Sequence, residues 1–445
     1  MSGEPVSNIP ELLAQAMQAH AGGELDTAEG LYRQALLQSP QDPDALHLYG
    51  VLEAQRGRHK PAADFIRQAI AVRPLEPMFH NNLGNVWLER RCVAEAEACY
   101  RQALALAPTR PDVLNNLGVL LSLTERRDEG EPLLRRAAEL APQFSDARQN
   151  LANHLLRGGR VSEALQQCLE GLLIAPRSRT LRRLLGMLYI ALGRIDDATA
   201  LYRGWLETEP DSVEARFLLS ACSGREVPDR CPERYVADTF DAFADSFDAK
   251  LQQLDYRAPG LVADAASRQL GPPRAALAVF DAGCGTGLCG PLLRPQAAHL
   301  LGVDLSAAMV GKARSRGVYD ELVVAELVGF LAGRPAGADV IVSADTLCYF
   351  GRLEPFAAAA RTALRDGGLL VFTVEAQADE PGEPAFRLQP HGRYSHRRSY
   401  VEAVLRGAGL VPAEVQAAVL RREVDKPVDG WVVCARAEGA LPSSA

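Results

Sequence analysis

The sequence predicts an all-α superhelix followed by an α/β domain built on a seven-stranded, mostly parallel sheet whose last strand runs antiparallel. Three observations carry this: a 34-residue period in the first half, alternating apolar runs and helical stretches in the second, and a glycine-rich corner after the first such run. A chain of 445 residues exceeds one ordinary core, so more than one domain is expected. With 47% hydrophobic and 23% charged residues, both halves have the composition to bury cores.

Charge and cysteine usage narrow the class. A net charge of −8 is poorly matched to a surface that coats nucleic acid. The opening "MSGEPVSNIPELL" has neither a basic nor an apolar leader segment, and no run approaches the ~18 apolar residues that span a bilayer. A cytoplasmic protein is the expectation. The nine cysteines include no C-x-x-C pair and no Cys/His cluster at zinc spacing, so free thiols and no metal site are expected.

The period is explicit. Pro40, Pro74, Pro108, Pro142, Pro176 and Pro210 recur every 34 residues, and Ala16, Gly50, Gly84, Gly118, Ala152 and Gly186 keep the same register. So do Ala28, Ala62, Ala96, Gly130, Ala164 and Ala198, and a larger residue four places on: Tyr32, Ile66, Tyr100, Leu134, Cys168 and Tyr202. Paired helices approach closely only where small residues meet, and proline ends the second helix of each pair. The pattern resembles the tetratricopeptide repeat, with six units over 9–212 and a capping helix over 213–223. Such arrays bind proteins or peptides. Asn82, Asn116 and Asn150 recur at one position of three consecutive units, with Asn81, Asn115 and Gln149 beside them and Asn85 and Asn153 one turn later. This resembles the asparagine ladder of O-GlcNAc-transferase-type arrays, which holds an extended peptide; a solvated polar face is the alternative.

Residues 224–234, "GREVPDRCPER", are expected as a linker, 235–437 as the α/β domain and 438–445 as a disordered tail. Strands are expected at Ala278–Ala282, Leu300–Leu305, Leu322–Glu326, Val340–Ala344 and Gly368–Val374. Val415–Arg421 and Trp431–Ala435, with no helix-length spacer, form a closing antiparallel hairpin. The corner Val279–Gly290, "VFDAGCGTGLCG", fits G-x-G-x-x-G from Gly285 and an acid followed by G-x-G-x-G from Asp281. Both patterns bring backbone close to a nucleotide-like ligand, with an acid about twenty residues on, here Asp304, for ribose hydroxyls. Asp281 sits where a diphosphate would bring negative charge, which favours a cationic ligand.

With "GVDLSAAMVGKA", "VYDELVVAEL", "DVIVSADTLCYFG", "LRDGGLLVFTVE" and "GRYSHRRSYV", this half resembles the Rossmann-like class I S-adenosylmethionine-dependent methyltransferases. The whole is similar to bacterial methyltransferases that carry tetratricopeptide repeats. The resemblance implies S-adenosylmethionine as cofactor, S-adenosylhomocysteine as product, and methyl transfer as the activity. Gly283, Cys284, Gly285, Thr286 and Gly287 would form the turn under the methionine moiety, with Asp281 near its amino end and Asp304 on the ribose. Leu305, Met309, Leu327 and Ala344 would line the pocket, Glu326 would meet the adenine amino group, and Phe243 would lie over the cofactor.

Asp345, Tyr349, Glu375 and His396 are candidates for a base, which is needed only where the acceptor must lose a proton; His396 lies in the basic loop "RYSHRR", where a surface histidine is the alternative. "SADTLCYF" lacks the corner that grips a nucleic-acid base, and Cys348 is not preceded by proline. By analogy with the family it resembles, a small molecule or biosynthetic intermediate ranks first as acceptor and a protein or peptide delivered along the array second. A non-catalytic scaffold and a nicotinamide oxidoreductase remain as rivals.

Overall fold

Twelve helices of 12–14 residues, from Ile9–Ala21 to Ile195–Thr208, follow one another with short turns. The computed structural model describes residues 8–124, 126–244, 247–248, 251, 254–380, 382–423 and 426–439; the expected tail from 440 onward lies outside them. The chain divides into two compact units, Met1–Leu188 and Tyr189–Ala445, and the boundary falls inside the helix Arg179–Ala191.

In the first unit the period has a direct steric meaning. Pro43, Pro77 and Pro111 stand in the first turn of their helices, where a missing N–H costs no hydrogen bond. The small residue of one helix faces the larger residue of the next. A Cβ added at Gly50 would lie 2.6 Å from Ile66 Cγ1, one at Gly84 2.5 Å from Tyr100 Cε1, and one at Gly118 2.8 Å from Leu134 Cγ. Ile66, Tyr100 and Leu134 are buried. The glycines are therefore a packing requirement.

The second unit begins with the end of the repeat pattern. The helix Ile195–Thr208 is followed by Val213–Ser223, which Gly224 closes in the left-handed conformation (φ 66°). A further helix, Glu233–Phe243, precedes the sheet. The strands are β1 (Leu277–Ala282), β2 (Ala297–Asp304), β3 (Glu321–Val324), β4 (Ala338–Ser343), β5 (Leu364–Gln377), β6 (Phe386–Leu388), β7 (Tyr394–Arg397), β8 (Leu410–Glu423) and β9 (Lys426–Ala437).

β3-β2-β1-β4-β5 is parallel throughout, β9 runs antiparallel to β5, and β8 pairs antiparallel with β9. These are the seven expected strands, with the expected closing hairpin. Consecutive residues enter opposite cores: Val279, Leu300 and Val340 one side, Phe280, Leu301 and Ile341 the other. The helix Ala258–Leu270 covers the first face, and Glu354–Ala363 with Arg398–Gly407 the second.

Two features depart from expectation. An extra hairpin, β6–β7, pairs in parallel with the last residues of β5, Glu375–Gln377. Its turn, Gln389-Pro390-His391-Gly392-Arg393, places proline second and Gly392 at φ 86°, a turn-plus-bulge geometry. The expected linker is also bonded into the α/β fold. Cys231 N–H donates to the Tyr349 carbonyl at 2.8 Å, Gly351 and Arg352 N–H both donate to the Asp229 carbonyl at 2.8 Å, and Tyr394 OH donates to the Pro228 carbonyl at 2.6 Å. Proline and charge read as a solvated tether; buried Cys231 is the residue that contradicts it. No helix among the described residues is long and apolar enough to cross a membrane.

Glycine substitutions separate packing from propensity. Gly84→Ala should destabilise the chain by about 1–3 kcal/mol through overpacking against Tyr100. Gly30→Ala, mid-helix with nothing within 4 Å of the added Cβ, should stabilise it by about 0.5–1 kcal/mol. Urea denaturation of the two variants measures both signs.

Candidate functional site

The glycine corner leaves β1 through three residues at positive φ: Gly283 (81°), Gly285 (54°) and Gly287 (85°). This path directs its donors inward. Gly283 and Cys284 N–H both donate to the Val303 carbonyl at 2.8 and 2.9 Å, Gly285 N–H to Asp304 Oδ2 at 2.8 Å, and Gly287 N–H to the Cys284 carbonyl at 2.8 Å. A dinucleotide-binding corner instead directs such donors, and the start of a long helix, at a diphosphate. Here the following helix, Gly290–Leu293, has four residues. The N–H groups of Gly283, Cys284, Gly285 and Gly287 are thus engaged within the protein, which disfavours a diphosphate on them.

Acidic groups gather around this loop. Asp281 is fully buried, with Oδ2 accepting from Tyr319 OH at 2.6 Å and Oδ1 without a hydrogen-bond partner. Burial raises its pKa to about 7; the Tyr319 bond opposes this and Asp304 reinforces it. It is buried at the end of β1, with Oδ1 unpartnered. Asp304, at the end of β2, accepts from Gly285 and from Ser306 N–H (2.9 Å); its pKa is also raised by burial, against the pull of those bonds. Ser306 caps the helix Ala307–Ser315 by accepting from Met309 N–H at 3.1 Å. Asp304 is thus not the cap, and each of its oxygens keeps capacity for a further donor. Asp241, from Glu233–Phe243, accepts from Ser306 OH and Ala308 N–H and brings a third acid close.

Other expected residues have more ordinary surroundings. Glu326 caps the helix Leu327–Ala332, accepting from Val328 and Gly329 N–H at 3.0 and 2.7 Å, and also meets Arg230 at 2.8 Å. Oε1 accepts two of these bonds and Oε2 one, so capacity for a further donor is left on Oε2. Leu327 and Ala344 are buried core residues, and Met309 is 1% exposed. Leu305 and Phe243 are half-buried. Thr286 is buried, and its hydroxyl donates to Asp248 at 2.5 Å, while Arg316 donates to its carbonyl at 2.5 Å and pairs with Asp248. This clasp was not foreseen, because Asp248 and Arg316 lie 38 and 30 residues from Thr286. Cys284 is buried and its thiol pKa is pushed up by that burial.

A second cluster sits at the carboxyl ends of β4 and β5. Asp345, at φ 53°, receives Arg421 Nη1 on both oxygens at 2.7 Å; Arg421 also meets Glu375 and, at 2.7 Å, Glu423. Arg393 donates to Glu375 at 2.8 Å and to Glu423 at 2.6 and 2.7 Å. Burial raises the Asp345 pKa, and Arg421 only partly offsets it. For Glu375 burial is outweighed by Arg393 and Arg421, and its pKa falls. His391 faces Glu375 at 4.0 Å, with its side chain partly exposed. Tyr349, half-buried, packs edge-on against Phe240 at 5.5 Å, and burial holds its phenol well above the usual range. Asp345, Cys348 and Glu375 offer ligand atoms within 4.8 Å of one another, the one such group among the described residues, but Arg421 already bridges the two carboxylates.

His396 does not join this cluster. Expected in a basic surface loop, it is fully buried on β7, donates from Nε2 to the Gly351 carbonyl at 3.0 Å and stacks on Tyr400 at 6.1 Å. Burial lowers its pKa to about 4. A base role for it is corrected: the imidazole is a neutral structural donor. Arg393 and Arg421 are the residues that sequence reasoning missed, and "GRYSHRR" was the available signal for the first.

In the repeat unit the asparagines bond one another. Asn150 Nδ2 donates to Asn115 Oδ1 at 2.9 Å, Asn116 Nδ2 to Asn81 and Asn85 Oδ1 at 3.0 and 3.2 Å, and Asn82 Nδ2 to His47 Nε2 at 2.9 Å. The ladder is thus a chain of amides that ties successive repeats. Both Nδ2 hydrogens of Asn116 are engaged, while its Oδ1 accepts one bond, from Asn115 Nδ2, and keeps a second lone pair.

Folding raises the Asp281 pKa, so its bound proton stabilises the folded chain fully below about pH 4, and that contribution is lost as pH rises through about 7. Relative to Asp281→Asn, the wild-type chain should lose about 2–3 kcal/mol of stability between pH 5 and pH 8. Denaturant titrations of both chains across that range check it.

Comparison with known proteins agrees with this architecture. A methyltransferase domain model matches residues 280–370, and tetratricopeptide repeat models match 13–71, 77–110, 124–188 and 179–222. Human methyltransferase-like protein 27 is 36% identical over 116 residues, which are 26% of this chain and 45% of that protein. The chain thus spans less than half the length of this relative. Among solved structures, the APC/C hetero-tetramer Cut9–Hcn1 is similar at 17% identity and TM-score 0.44, over 48% of this chain and 43% of that one. PilW, a type IV pilus biogenesis factor, is similar at 22% identity and TM-score 0.44, over 49% of this chain and 100% of that one. The chain thus joins segments that match tetratricopeptide repeats, within residues 13–222, to a segment, residues 280–370, that matches a methyltransferase domain.

Proposed function

We propose that the α/β unit transfers a methyl group from S-adenosylmethionine to a small molecule or biosynthetic intermediate, while the repeats engage a protein partner or hold the substrate. The observation that carries this is the acid-lined glycine corner, whose N–H groups at Gly283, Cys284, Gly285 and Gly287 are engaged within the protein. Asp281 Oδ1, buried and unpartnered, and the two partly engaged oxygens of Asp304 favour a ligand with positive charge and hydroxyl donors. S-adenosylmethionine combines a sulfonium, an ammonium and a ribose, and supplies an activated methyl carbon when bound.

The chain's own tasks are then few. Gly283–Gly287 backs the methionine moiety, and Asp304 accepts from the ribose hydroxyls. Asp281 contributes negative potential from beneath. Alignment of acceptor and methyl carbon, with water excluded, supplies most of the rate. Asp345 and Tyr349 stand at the mouth of β4 beside that position. Asp345, with its raised pKa, would take a proton from the acceptor; where the acceptor needs no base, the Arg421 pair only holds it in place. Nine free cysteines support a reducing, cytoplasmic setting.

Asp304→Ala should weaken S-adenosylmethionine binding by about one to two powers of ten, from loss of charge-assisted bonds of about 1.5–3 kcal/mol. Calorimetry with S-adenosylmethionine and S-adenosylhomocysteine measures this, and wild-type chain that binds neither would leave a scaffold. Transfer of labelled methyl into a lysate, split into small metabolites and macromolecules, separates a small acceptor from a protein one. Tighter binding of NADH than of either sulfur ligand would defeat the proposal.

A further inference from the structure

The β6–β7 turn that supplies His391 and Arg393 to the cluster around Arg421 packs against the capping helix Val213–Ser223. Gly392, at the turn's tip, lies against this surface: a Cβ there would meet Phe217 Cε1 at 3.4 Å, Tyr235 OH at 3.6 Å and Leu218 Cδ2 at 3.7 Å. Phe217, on Val213–Ser223, packs on Tyr235, on Glu233–Phe243, with ring centroids 4.9 Å apart. The Cys231 thiol donates to the Gly392 carbonyl at 3.5 Å and the Cys222 thiol to the Pro390 carbonyl at 3.9 Å. Leu388, Tyr394, Phe217, Leu218 and Trp205 share one buried core.

The front of the same turn is polar. Arg393 fixes Nε on Glu375 and Nη2 on Glu423, while a fifth of its side chain remains accessible; the His391 side chain is 39% exposed. A shift of the turn therefore moves the guanidinium and the imidazole against Asp345 and Glu375.

We propose that Phe217 and Tyr235 are positioning residues for methyl transfer: the capping helix Val213–Ser223 mounts the Gln389–Arg393 turn, and that turn contacts the acceptor through Arg393 and His391. This rests on the methyl-transfer reading of the site. It makes the capping helix a part of the acceptor site, whatever the array binds.

The test uses full-length chain, with Phe217→Ala, the conservative Phe217→Leu, and Arg216→Ala as an exposed control on the same helix. The readouts are label transfer from S-adenosylmethionine into the acceptor fraction labelled by wild type, calorimetric affinity for S-adenosylhomocysteine, and hydrogen exchange of the Gly392 amide, which is bonded to the Gln389 carbonyl at 2.8 Å. Phe217→Ala should cut transfer by about ten- to a hundredfold, as expected for a displacement of about 1 Å, with cofactor affinity within about twofold of wild type. Exchange at Gly392 should accelerate, and Phe217→Leu should restore most of both. Wild-type rates of transfer, or unchanged exchange, in Phe217→Ala overturn the proposal; so does an equal loss of cofactor affinity. Wild-type chain that labels nothing defeats the methyl-transfer reading instead, and exchange at Gly392 then decides whether the helix mounts the turn.

Discussion

A backbone turned inward at three glycines is the constraint on which the α/β half depends. Positive φ at Gly283, Gly285 and Gly287 lets the chain leave β1, bond back to β2 and return within five residues. A side chain at Gly283 would run into Thr346, and one at Gly287 into Tyr319 and Arg316, so the loop is fixed by sterics as well as by torsion. The N–H groups of Gly283, Cys284, Gly285 and Gly287 close on Val303, Asp304 and Cys284, so these four are not offered to an anion. What it presents is negative potential from Asp281, Asp304 and Asp241. Burying carboxylates is costly without compensation, and both Asp281 and Asp304 show that cost as a raised pKa. A cationic ligand relieves it; a diphosphate worsens it.

The cluster around Arg421 follows another logic. Two guanidiniums lie among three carboxylates, so each Arg–acid contact is compensated by the next and the network has one acid in excess. In such a setting the removal of one partner leaves an uncompensated charge, which makes the geometry stiff. Arg421 already provides positive charge between Asp345 and Glu375, so a divalent cation would have to displace it and would find in Cys348 a thiol whose pKa burial has pushed up. The rigidity matters for an in-line displacement, where alignment is most of the chemistry.

Much of this was legible in the sequence because it was periodic or local. The 34-residue register named Gly50 with Ile66, Gly84 with Tyr100 and Gly118 with Leu134, the pairs that pack together. Strand ends fell within a few residues, since β-branched runs bounded by turns are a local signal; β5 runs on to Gln377 because β7 and β9 extend its pairing. Long-range polar contacts were not legible. Nothing near Glu326 announces Arg230, nothing near Thr286 announces Asp248, and His396 read as a surface residue because its neighbours Arg397 and Arg398 are charged. The asparagine ladder was visible as a pattern, but only coordinates show that the amides bond one another.

The boundary between repeat and sheet illustrates the same limit. A break in the 34-residue register, followed by proline and charge, has the composition of a tether, yet composition does not report what lies opposite. Here the facing surface is the β6–β7 turn, whose Gly392 lies within packing reach of Phe217 and Tyr235. Once Trp205, Phe217 and Tyr394 share a core, the helices Ile195–Thr208 and Val213–Ser223 cannot be assigned to the array alone. A domain limit drawn where a motif stops would cut through buried aromatic packing. The physical limit lies where such contacts thin out, and that falls inside the helix Arg179–Ala191, ahead of the last turn of the repeat pattern.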